Sequence, residues 1–326
     1  MPDTPQGHYT FTVYTGTRNR AHTLHRPYDS LRSQTFRDFE WLIVDNDSTD
    51  GTAELVARWQ AEADFPIRYL RHENRGHHGS SNRAVMEAQG EFFLTIDSDD
   101  GCTPNALERL KAVWDGIPPD QRHHYSAVTA LCVDENGQPT GDRFPSDVTD
   151  SNTTELRYRY RVMGEKWGFQ RTDVMRAHPY PTILGYTGMM SSHLVWGSIG
   201  RQYLTRYINE YLGTVFSDQQ DTLTKGSPRD PRRDALGEML EAASVIDLHL
   251  RYLRYDPWAF YLKAAKYSRS GLWAGQSLRQ QARRLSRPFA RVLWLAALPL
   301  GLGVYAVERT GLARYIPRRH SRGIAR

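Results

Sequence analysis

The stretch Phe92–Ile96 (FFLTI) is followed at once by Asp97–Asp100 (DSDD), and this junction decides the predicted fold. A short apolar run of this kind predicts a buried strand. Three carboxylates then stand just beyond its end, where open α/β sheets bind their ligands. Carboxylates this close repel unless they are solvated or neutralised by a hard cation such as Mg²⁺ or Mn²⁺. The alternative is a polar turn in which Asp99 or Asp100 caps a helix that begins at Pro104.

The segments around this junction alternate between strand and helix patterns. This order predicts an α/β fold with a Rossmann-like, doubly wound and mostly parallel sheet, connected by right-handed crossovers. We predict strands at Tyr9–Tyr14, Phe39–Val44, Ile67–Leu70, Phe92–Ile96 and Tyr125–Val133, and helices at Thr23–Gln34, Gly51–Ala63, Gly79–Gln89 and Pro104–Ile117.

The alternation breaks down after about residue 134. Asp134–Thr154 is polar and rich in turn residues, and Gly164–Phe169 (GEKWGF) predicts a return strand. Ser217–Arg233 is dense in charge, Gly and Pro, which is typical of either a disordered segment or a functional lid. Helices are predicted at Asp234–Leu250 and Pro257–Gly271. We therefore divide the chain into residues 1–133, residues 134–250 and a helical extension, residues 251–326.

The extension is strongly basic. From Arg279 to Arg326 there are 11 arginines, no lysine and one acid, whereas the whole chain has a net charge of only +5. The rest of the chain is therefore net acidic, which argues against a general nucleic-acid binder. Within the extension, Val292–Val307 has no charged residue and arginines on both sides. It predicts either a buried hairpin of helices or a monotopic anchor on an anionic membrane surface, and we favour the anchor.

Two further observations concern the cellular compartment. Cys102 and Cys132 are the only cysteines and have no metal-site spacing, which favours a reducing cytosol over a disulfide framework. Met1–Tyr9 has no basic segment followed by an apolar one, so no signal peptide is visible there.

Polar loops follow four of the predicted strands. Because the carboxyl ends of parallel strands meet at one edge of a sheet, these loops are expected to form a single polar cleft. They are Thr15–Arg20, Val44–Thr52, Asn74–Ala84 and Asp97–Asp100.

With these four motifs in this order, the chain resembles the inverting family-two glycosyltransferases of the GT-A fold, of the bacterial polysaccharide or cell-envelope type. The resemblance is close over residues 9–115 and looser to about residue 270. It implies transfer of a sugar, with inversion, from a nucleoside diphosphate sugar, with UDP expected, to a saccharide or lipid-linked acceptor. It also implies Mn²⁺ or Mg²⁺ as cofactor, a donor-binding half (1–133) and an acceptor-binding half (134–250). Together with the basic tail, it predicts a cytoplasmic enzyme held at the inner face of the cell membrane.

The resemblance implies a set of donor-binding residues. Asp45 stands where a carboxylate could accept the imide N–H of uracil, and Asn46 replaces a second acid that is usual in the family. Arg18 is either a ligand of the diphosphate or a solvated surface charge. The full set is Thr17, Arg18, Asn19, Asp45, Asn46, Gly76, His77, Asn82, Asp97 and Ser98.

The resemblance also implies the metal ligands and a general base. Asp99, with Asp97, would hold the metal, and Asp97 would contact the donor sugar. Where the family commonly has an acidic base, this chain has Ser192, so His193 is the favoured base and Glu165 the second candidate. The loss of the acid at Ser192 leaves open a nucleotide-sugar-binding protein without transferase activity. A sugar nucleotidyltransferase is a weaker alternative.

Overall fold

The computed structural model describes residues 8–216 and 231–310. The chain divides into two compact units, Met1–Pro228 and Arg229–Arg326. Most of the predicted loop Ser217–Arg233, and residues 311–326 of the arginine-rich tail, lie outside the described residues.

The described part of the first unit is built on one mixed β-sheet. Its strands are β1 Tyr9–Thr17, β2 Phe39–Asp45, β3 Ile67–Arg71, β4 Gly90–Thr95, β5 Gly101–Cys102, β6 Tyr125–Asp134, β7 Val148–Ser151, β8 Lys166–Arg171 and β9 Leu204–Val215. They lie in the order β3-β2-β1-β4-β8-β6-β9-β5, and β7 pairs with β9.

Strand direction confirms the predicted fold class. Strands β1 to β4 are mutually parallel, and β8 lies antiparallel between β4 and β6. Strand β6 therefore runs in the same direction as β4, and β9 is parallel to β6. The sheet is thus mostly parallel. The carboxyl ends of β1, β2, β3 and β4 lie at one edge, as the α/β prediction requires.

Seven α-helices are described in the first unit: α1 His25–Arg32, α2 Thr52–Glu62, α3 Gly76–Glu87, α4 Ala106–Asp115, α5 Thr153–Tyr158, α6 Thr172–Ala177 and α7 His193–Ile199. A core rich in aromatic side chains fixes the sheet beneath them. Phe92 contacts Phe169 with ring centroids 4.3 Å apart, and Trp114 packs edge-on against both rings. This contact joins β4 to β8, and therefore joins the predicted donor half to the predicted acceptor half.

The described part of the second unit is helical: α8 Pro231–Leu248, α9 Pro257–Trp273, α10 Leu278–Arg284 and α11 Pro288–Arg309. Helix α8 belongs to this unit rather than to the sheet, because Glu238 of α8 pairs with Arg269 of α9 at 2.8 Å. The boundary between the two compact units lies between residues 228 and 229, whereas the sequence analysis placed the start of the helical extension after residue 250. The functions assigned to the three segments stay predictions.

The apolar stretch of the tail forms one helix. Residues 292–307 lie within α11, which continues through Pro299. The hairpin interpretation of this stretch is therefore wrong, and the stretch belongs to a single helix of 22 residues.

Candidate functional site

Asn19 links the turn after β1 to the turn after β2. Its backbone N–H donates to Ser48 Oγ at 2.9 Å, and its Oδ1 accepts from the N–H of Thr49 at 2.8 Å. Asn19 has a φ of 54°, a left-handed conformation that asparagine tolerates better than most residues. The sequence therefore places here a residue that can both turn the chain and crosslink two loops.

Asn46 links the turn after β2 to the loop after β3. Its side-chain amide donates to Asn74 Oδ1 at 2.8 Å, and its Oδ1 accepts from the N–H of Arg75 at 2.9 Å. Both ends of the Asn46 amide are thus used to hold the third loop, so this side chain sets the position of the start of α3.

Two contacts tie the acidic turn Asp97–Asp100 to the other loops. Arg20, in the first loop, lies 3.6 Å from the carboxylate of Asp99. His77, in the first turn of α3, lies close enough to Asp97 for its charge to favour the ionised carboxylate. The four predicted loops are therefore joined to one another at one edge of the sheet.

The carboxylates of the acidic turn affect one another. Asp97 is accessible to solvent, but the protein atoms crowded around it displace enough water to raise its pKa; His77 and Arg20 oppose this increase, and Asp99 adds to it. Burial, with Asp97 as the next contribution, raises the pKa of Asp100 to about 8. The turn thus crowds carboxylates whose ionised forms disfavour one another and would be stabilised by a cation.

The end of β9 fastens the acidic turn from the other side. The N–H of Phe216 donates to Asp100 Oδ1 at 3.1 Å, and the guanidinium of Arg26 lies 4.2 Å from the centre of the Phe216 ring. Arg26 also donates to the backbone carbonyl of Asp99 at 3.2 Å. Asp100 is therefore engaged with β9, in place of the helix cap that we considered from the sequence.

Asp45 ends β2 as a buried carboxylate. One oxygen accepts the N–H of Ser48 at 2.8 Å, and the other accepts the hydroxyl of Tyr69. Burial and this hydrogen bond raise the pKa of Tyr69. Each carboxylate oxygen can accept two hydrogen bonds, so Asp45 keeps acceptor capacity for a ligand.

Gly76 begins α3 with a φ of 70°. A Cβ there would lie 3.1 Å from the Cα of Thr187 and 2.9 Å from the ring of His78. His78 itself is buried, which lowers its pKa, and its ring packs against Tyr186. The close approach at Gly76 is therefore to the protein's own chain at residues 186–187, in a conformation that favours glycine.

Asn82 holds the loop that follows α6. Its Nδ2 donates to the carbonyl of Tyr180 at 2.9 Å, and its Oδ1 accepts the N–H of Tyr180 at 2.9 Å. We expected this amide to contact the donor. In the structure, the side-chain amide of Asn82 instead donates one hydrogen bond to the backbone of the loop and accepts another from it. Asn82 is therefore a positioning residue.

Tyr14 and Tyr180 lie behind Asp97, and both are buried. The charge of Asp97 adds to burial in raising the pKa of each phenol. The Tyr14 hydroxyl lies beside Gly16, where a Cβ would stand 2.5 Å away, and it has no hydrogen-bond partner among the described residues. The Tyr14 hydroxyl is therefore a buried polar group close to Asp97, the residue predicted to contact the donor sugar.

The candidate bases lie on two different elements. Glu165 precedes β8, is exposed, and its charge contributes to the raised pKa of Asp100, which places it at the same edge as the acidic turn. His193 is the first residue of α7 and is partly exposed, and its N–H donates to Ser191 Oγ at 3.2 Å. The roles proposed for the two side chains stay predictions.

The remaining predicted residues lie in the same loops. Thr17 ends β1 and is buried, Arg18 is exposed beside it, and Ser98 is buried within the acidic turn. The sequence analysis missed Tyr14, Arg20, Arg26, Tyr180 and Phe216. Arg20 and Arg26 could have been suspected, because they follow Arg18 closely, Arg20 in the first loop and Arg26 in α1. Nothing local marks the other three.

A divalent cation fits the acidic turn only if a ligand completes its coordination. Within residues 8–216 and 231–310, no group of three or more His, Cys, Asp or Glu side chains could hold a metal ion. Mg²⁺ is commonly bound through one or two carboxylates and the phosphates of a substrate. Asp97 and Asp99 provide carboxylates of this kind, and the crowding of negative charge in their turn fits a cation.

Comparison with known proteins agrees with this architecture. The family model described as "Glycosyl transferase family 2" matches residues 12–171. The chain is similar to the "GalNAc(5)-diNAcBac-PP-undecaprenol beta-1,3-glucosyltransferase" of Campylobacter jejuni, with 33% identity over 273 residues, which is 78% of this chain and 83% of that protein. It is also similar to the "UDP-Glc:alpha-D-GlcNAc-diphosphoundecaprenol beta-1,3-glucosyltransferase WfgD" of Escherichia coli, with 33% identity over 31% of this chain and 39% of that protein.

Among solved structures, residues 1–349 of TarS from Staphylococcus aureus in complex with UDP-GlcNAc superpose with a TM-score of 0.61. The match covers 93% of this chain and 92% of that one at 17% identity, and it therefore shows a shared fold. The matched regions of the first three curated relatives span 32%, 83% and 59% of their own lengths. With a relative that is 33% identical and 83% covered, the chain belongs to glycosyl transferase family 2.

Proposed function

We propose that this protein transfers a sugar, with inversion, from a UDP-sugar to a saccharide or lipid-linked acceptor in cell-envelope or exopolysaccharide synthesis. The observation that carries the proposal is the joining of four strand-end loops around Asp97, Asp99 and Asp100. The printed names of two relatives support the acceptor class, because both are glucosyltransferases named for undecaprenol-linked diphosphates.

The donor would lie across the loops after β1, β2 and β4. Asp45 has acceptor capacity for the imide N–H of uracil, and Tyr69 and Ser48 hold its carboxylate in place. Arg18 is exposed at the end of β1 and can supply a bidentate contact to a diphosphate. A UDP-GlcNAc complex of a protein with the same fold supports the choice of UDP.

Asp97 and Asp99 would hold Mn²⁺ or Mg²⁺ together with the donor diphosphate. When bound, such a cation stabilises the charge that develops on the leaving diphosphate. The residues of the chain prepare this position: Arg20 lies beside Asp99, and the Phe216 N–H holds Asp100. Tyr14 is buried, its hydroxyl has no hydrogen-bond partner among the described residues, and it lies close enough to Asp97 for that charge to raise its pKa.

Inversion requires a base that removes the proton of the acceptor hydroxyl as it attacks the anomeric carbon. We propose His193 for this role, because an imidazole can accept a proton near neutral pH, with Glu165 as the second candidate. The name of the Escherichia coli relative supports inversion, since a β-linked product from UDP-Glc, an α-linked donor, has the opposite anomeric configuration.

The proposal is tested by a thermal-shift panel of nucleoside diphosphates with Mn²⁺, followed by an assay of UDP release with candidate acceptors. A ligand that binds the native state raises the melting temperature with its concentration, and we expect UDP to give the largest increase. Asp99→Asn should abolish the increase. Asp147→Asn, a change at an acid that is almost fully exposed, is the matched control and should leave it intact.

The same experiment separates the alternatives. A UDP-dependent increase without UDP release in the presence of any acceptor would favour a nucleotide-sugar-binding protein. Release of pyrophosphate from UTP in the presence of a sugar 1-phosphate, with formation of a UDP-sugar, would favour a sugar nucleotidyltransferase. Between the candidate bases, His193→Ala should lower kcat for transfer far more than Glu165→Gln, with UDP-dependent stabilisation retained in both. The reverse order would move the base to Glu165.

We further propose that the enzyme acts on the cytoplasmic side of the membrane, attached to its inner face. The names of relatives that use undecaprenol-linked acceptors support this location. Helix α11 supports attachment to a membrane too, because it is apolar and only 22% of its most apolar 18-residue window is buried.

A further inference from the structure

Helix α11 has its apolar side facing outward. A narrow stripe of small residues and one tryptophan is buried: Ala290, Trp294, Ala297 and Gly301. At Gly301 a Cβ would lie 2.6 Å from the carbonyl oxygen of Ala265, so α11 touches α9 closely there. Large apolar side chains on the rest of its surface are exposed, including Val292 at 62% and Leu295 at 56%. A helix on the surface of a protein in water has the opposite arrangement.

Three contacts give the direction of α11 within the second unit. Glu238, early in α8, and Glu308, at the end of α11, both pair with Arg269 late in α9. Asp247, at the end of α8, accepts hydrogen bonds from the backbone N–H groups of Ser286 and Arg287, just before α11 begins. Helix α11 therefore starts beside the end of α8 and runs parallel to α9.

This packing decides between a spanning helix and one that lies flat. With 22 residues, α11 is about 33 Å long, which is enough to cross a bilayer. Helix α9, however, runs beside it and carries Lys263, Lys266 and Arg269, which pair with acids of α8. A spanning α11 would bring these charges to hydrocarbon depth, where charged side chains are costly. A flat α11 leaves them on the aqueous side.

Charge complementarity indicates an anionic lipid surface as the occupant of the apolar face. Four arginines are exposed around the start of α11: Arg283 and Arg284 at the end of α10, then Arg287 and Arg291. Helix α9 extends the apolar face with Trp258, which is 65% exposed, and Leu262. These two lie on the same helical stripe as Ala265 and Arg269, two of the residues of α9 that contact α11. Tryptophan and arginine are the side chains typical of a membrane interface.

We infer that α11 lies in the plane of an anionic bilayer, with Val292, Leu295 and their apolar neighbours in the lipid and the arginines at its start among the headgroups. Helices α8 and α9 take the place of the polar face that an isolated amphipathic helix would have. The inference deepens the proposed membrane location and does not depend on the donor-site assignment.

The first test is flotation of the full-length protein with vesicles of phosphatidylcholine, with and without phosphatidylglycerol. We expect binding that needs phosphatidylglycerol and weakens with salt. Replacing Val292 and Leu295 together by Glu should lower the partition coefficient at least about tenfold. Met86→Glu changes an exposed apolar residue in the first unit and is the matched control with full binding. Replacing Arg283, Arg284 and Arg287 by Gln should weaken the dependence on phosphatidylglycerol.

The second test measures topology with one cysteine added at a time, Arg279→Cys or Thr310→Cys, at the two ends of the α10–α11 segment; the native Cys102 and Cys132 are buried. A maleimide that cannot cross membranes should label both positions when it is added outside sealed vesicles. Protection of one position would show a spanning helix and overturn the inference. Absence of vesicle binding, or a dimer that the Val292 and Leu295 changes disrupt, would overturn it as well. A UDP-dependent thermal shift retained by the variant with Val292→Glu and Leu295→Glu would show that the changes in α11 leave the donor site intact.

Discussion

We predict that Asn82→Ala destabilises the first unit. The change removes two hydrogen bonds of 2.9 Å to the backbone of Tyr180, a residue that is 5% exposed. A net hydrogen bond contributes about 1 kcal/mol, and a buried backbone group left without a partner costs about 1–3 kcal/mol. We therefore expect the free energy of unfolding to fall by about 2–3 kcal/mol, which corresponds to a decrease of about 5–10 °C in Tm.

Urea denaturation and thermal unfolding measure this loss directly. The matched control is Arg83→Ala on the next residue of α3, which is exposed and makes one ion pair with Glu87 four residues on. That change should cost no more than about 0.5 kcal/mol. A different outcome would refute the reasoning: an Asn82→Ala loss below about 0.5 kcal/mol, together with a much weaker UDP-dependent stabilisation. Asn82 would then be a donor ligand, as the family resemblance implies.

Three further predictions concern the site and its support. In metal-free buffer the unsubstituted protein should lose stability as the pH rises from about 4 to 8, by at most about 1.4 kcal/mol per pH unit. The reason is that Asp100 has a pKa of about 8 in the folded protein against an ordinary 3.8, so the folded state holds this proton more tightly than the unfolded chain. In Asp100→Asn, denaturation curves measured between pH 5 and 8 should show a free energy of unfolding that depends less on pH. Arg68→Met should cost about 3–5 kcal/mol in urea denaturation, because it leaves the fully buried Glu40 without its cation, and adding Glu40→Gln should recover part of the loss. Gly76→Ala should lower the free energy of unfolding by at least about 1–2 kcal/mol in the same assay, since it forces a left-handed alanine against Thr187.

The sequence predicted the elements whose local pattern and burial agree. Strand β2 (FEWLIVD) is mostly apolar, and all seven of its positions are buried. Strand β9 was missed, because Arg206 and Glu210 interrupt its apolar pattern. These two residues pair with Asp150 and Arg109, contacts that no local pattern reveals. Helix α3 begins three residues before the predicted start, because GHHGSS has no helical periodicity and is ordered by tertiary packing.

The sequence also predicted which loops form the site, but it did not predict the partners of each side chain. Asp97 and Asp99 could be placed at the rim because they follow a strand, and the parallel sheet brought them to the other loops. The pairing of Asn82 with Tyr180 spans 98 positions in the chain, and that of Asp100 with Phe216 spans 116. Partnerships over such separations depend on the complete fold and could not be predicted from short motifs.

The position of β8 bears on any attempt to split this protein. Strand β8 comes from the segment after residue 133, yet it is inserted between β4 and β6, and the strands that pair with β6 are β8 and β9. A fragment ending at residue 133 would leave β6 without a neighbour and expose an unpaired edge of β4, which favours aggregation. Residues 1–133 expressed alone should therefore be insoluble, and coexpression with the rest of the sheet domain should be needed to recover folded material.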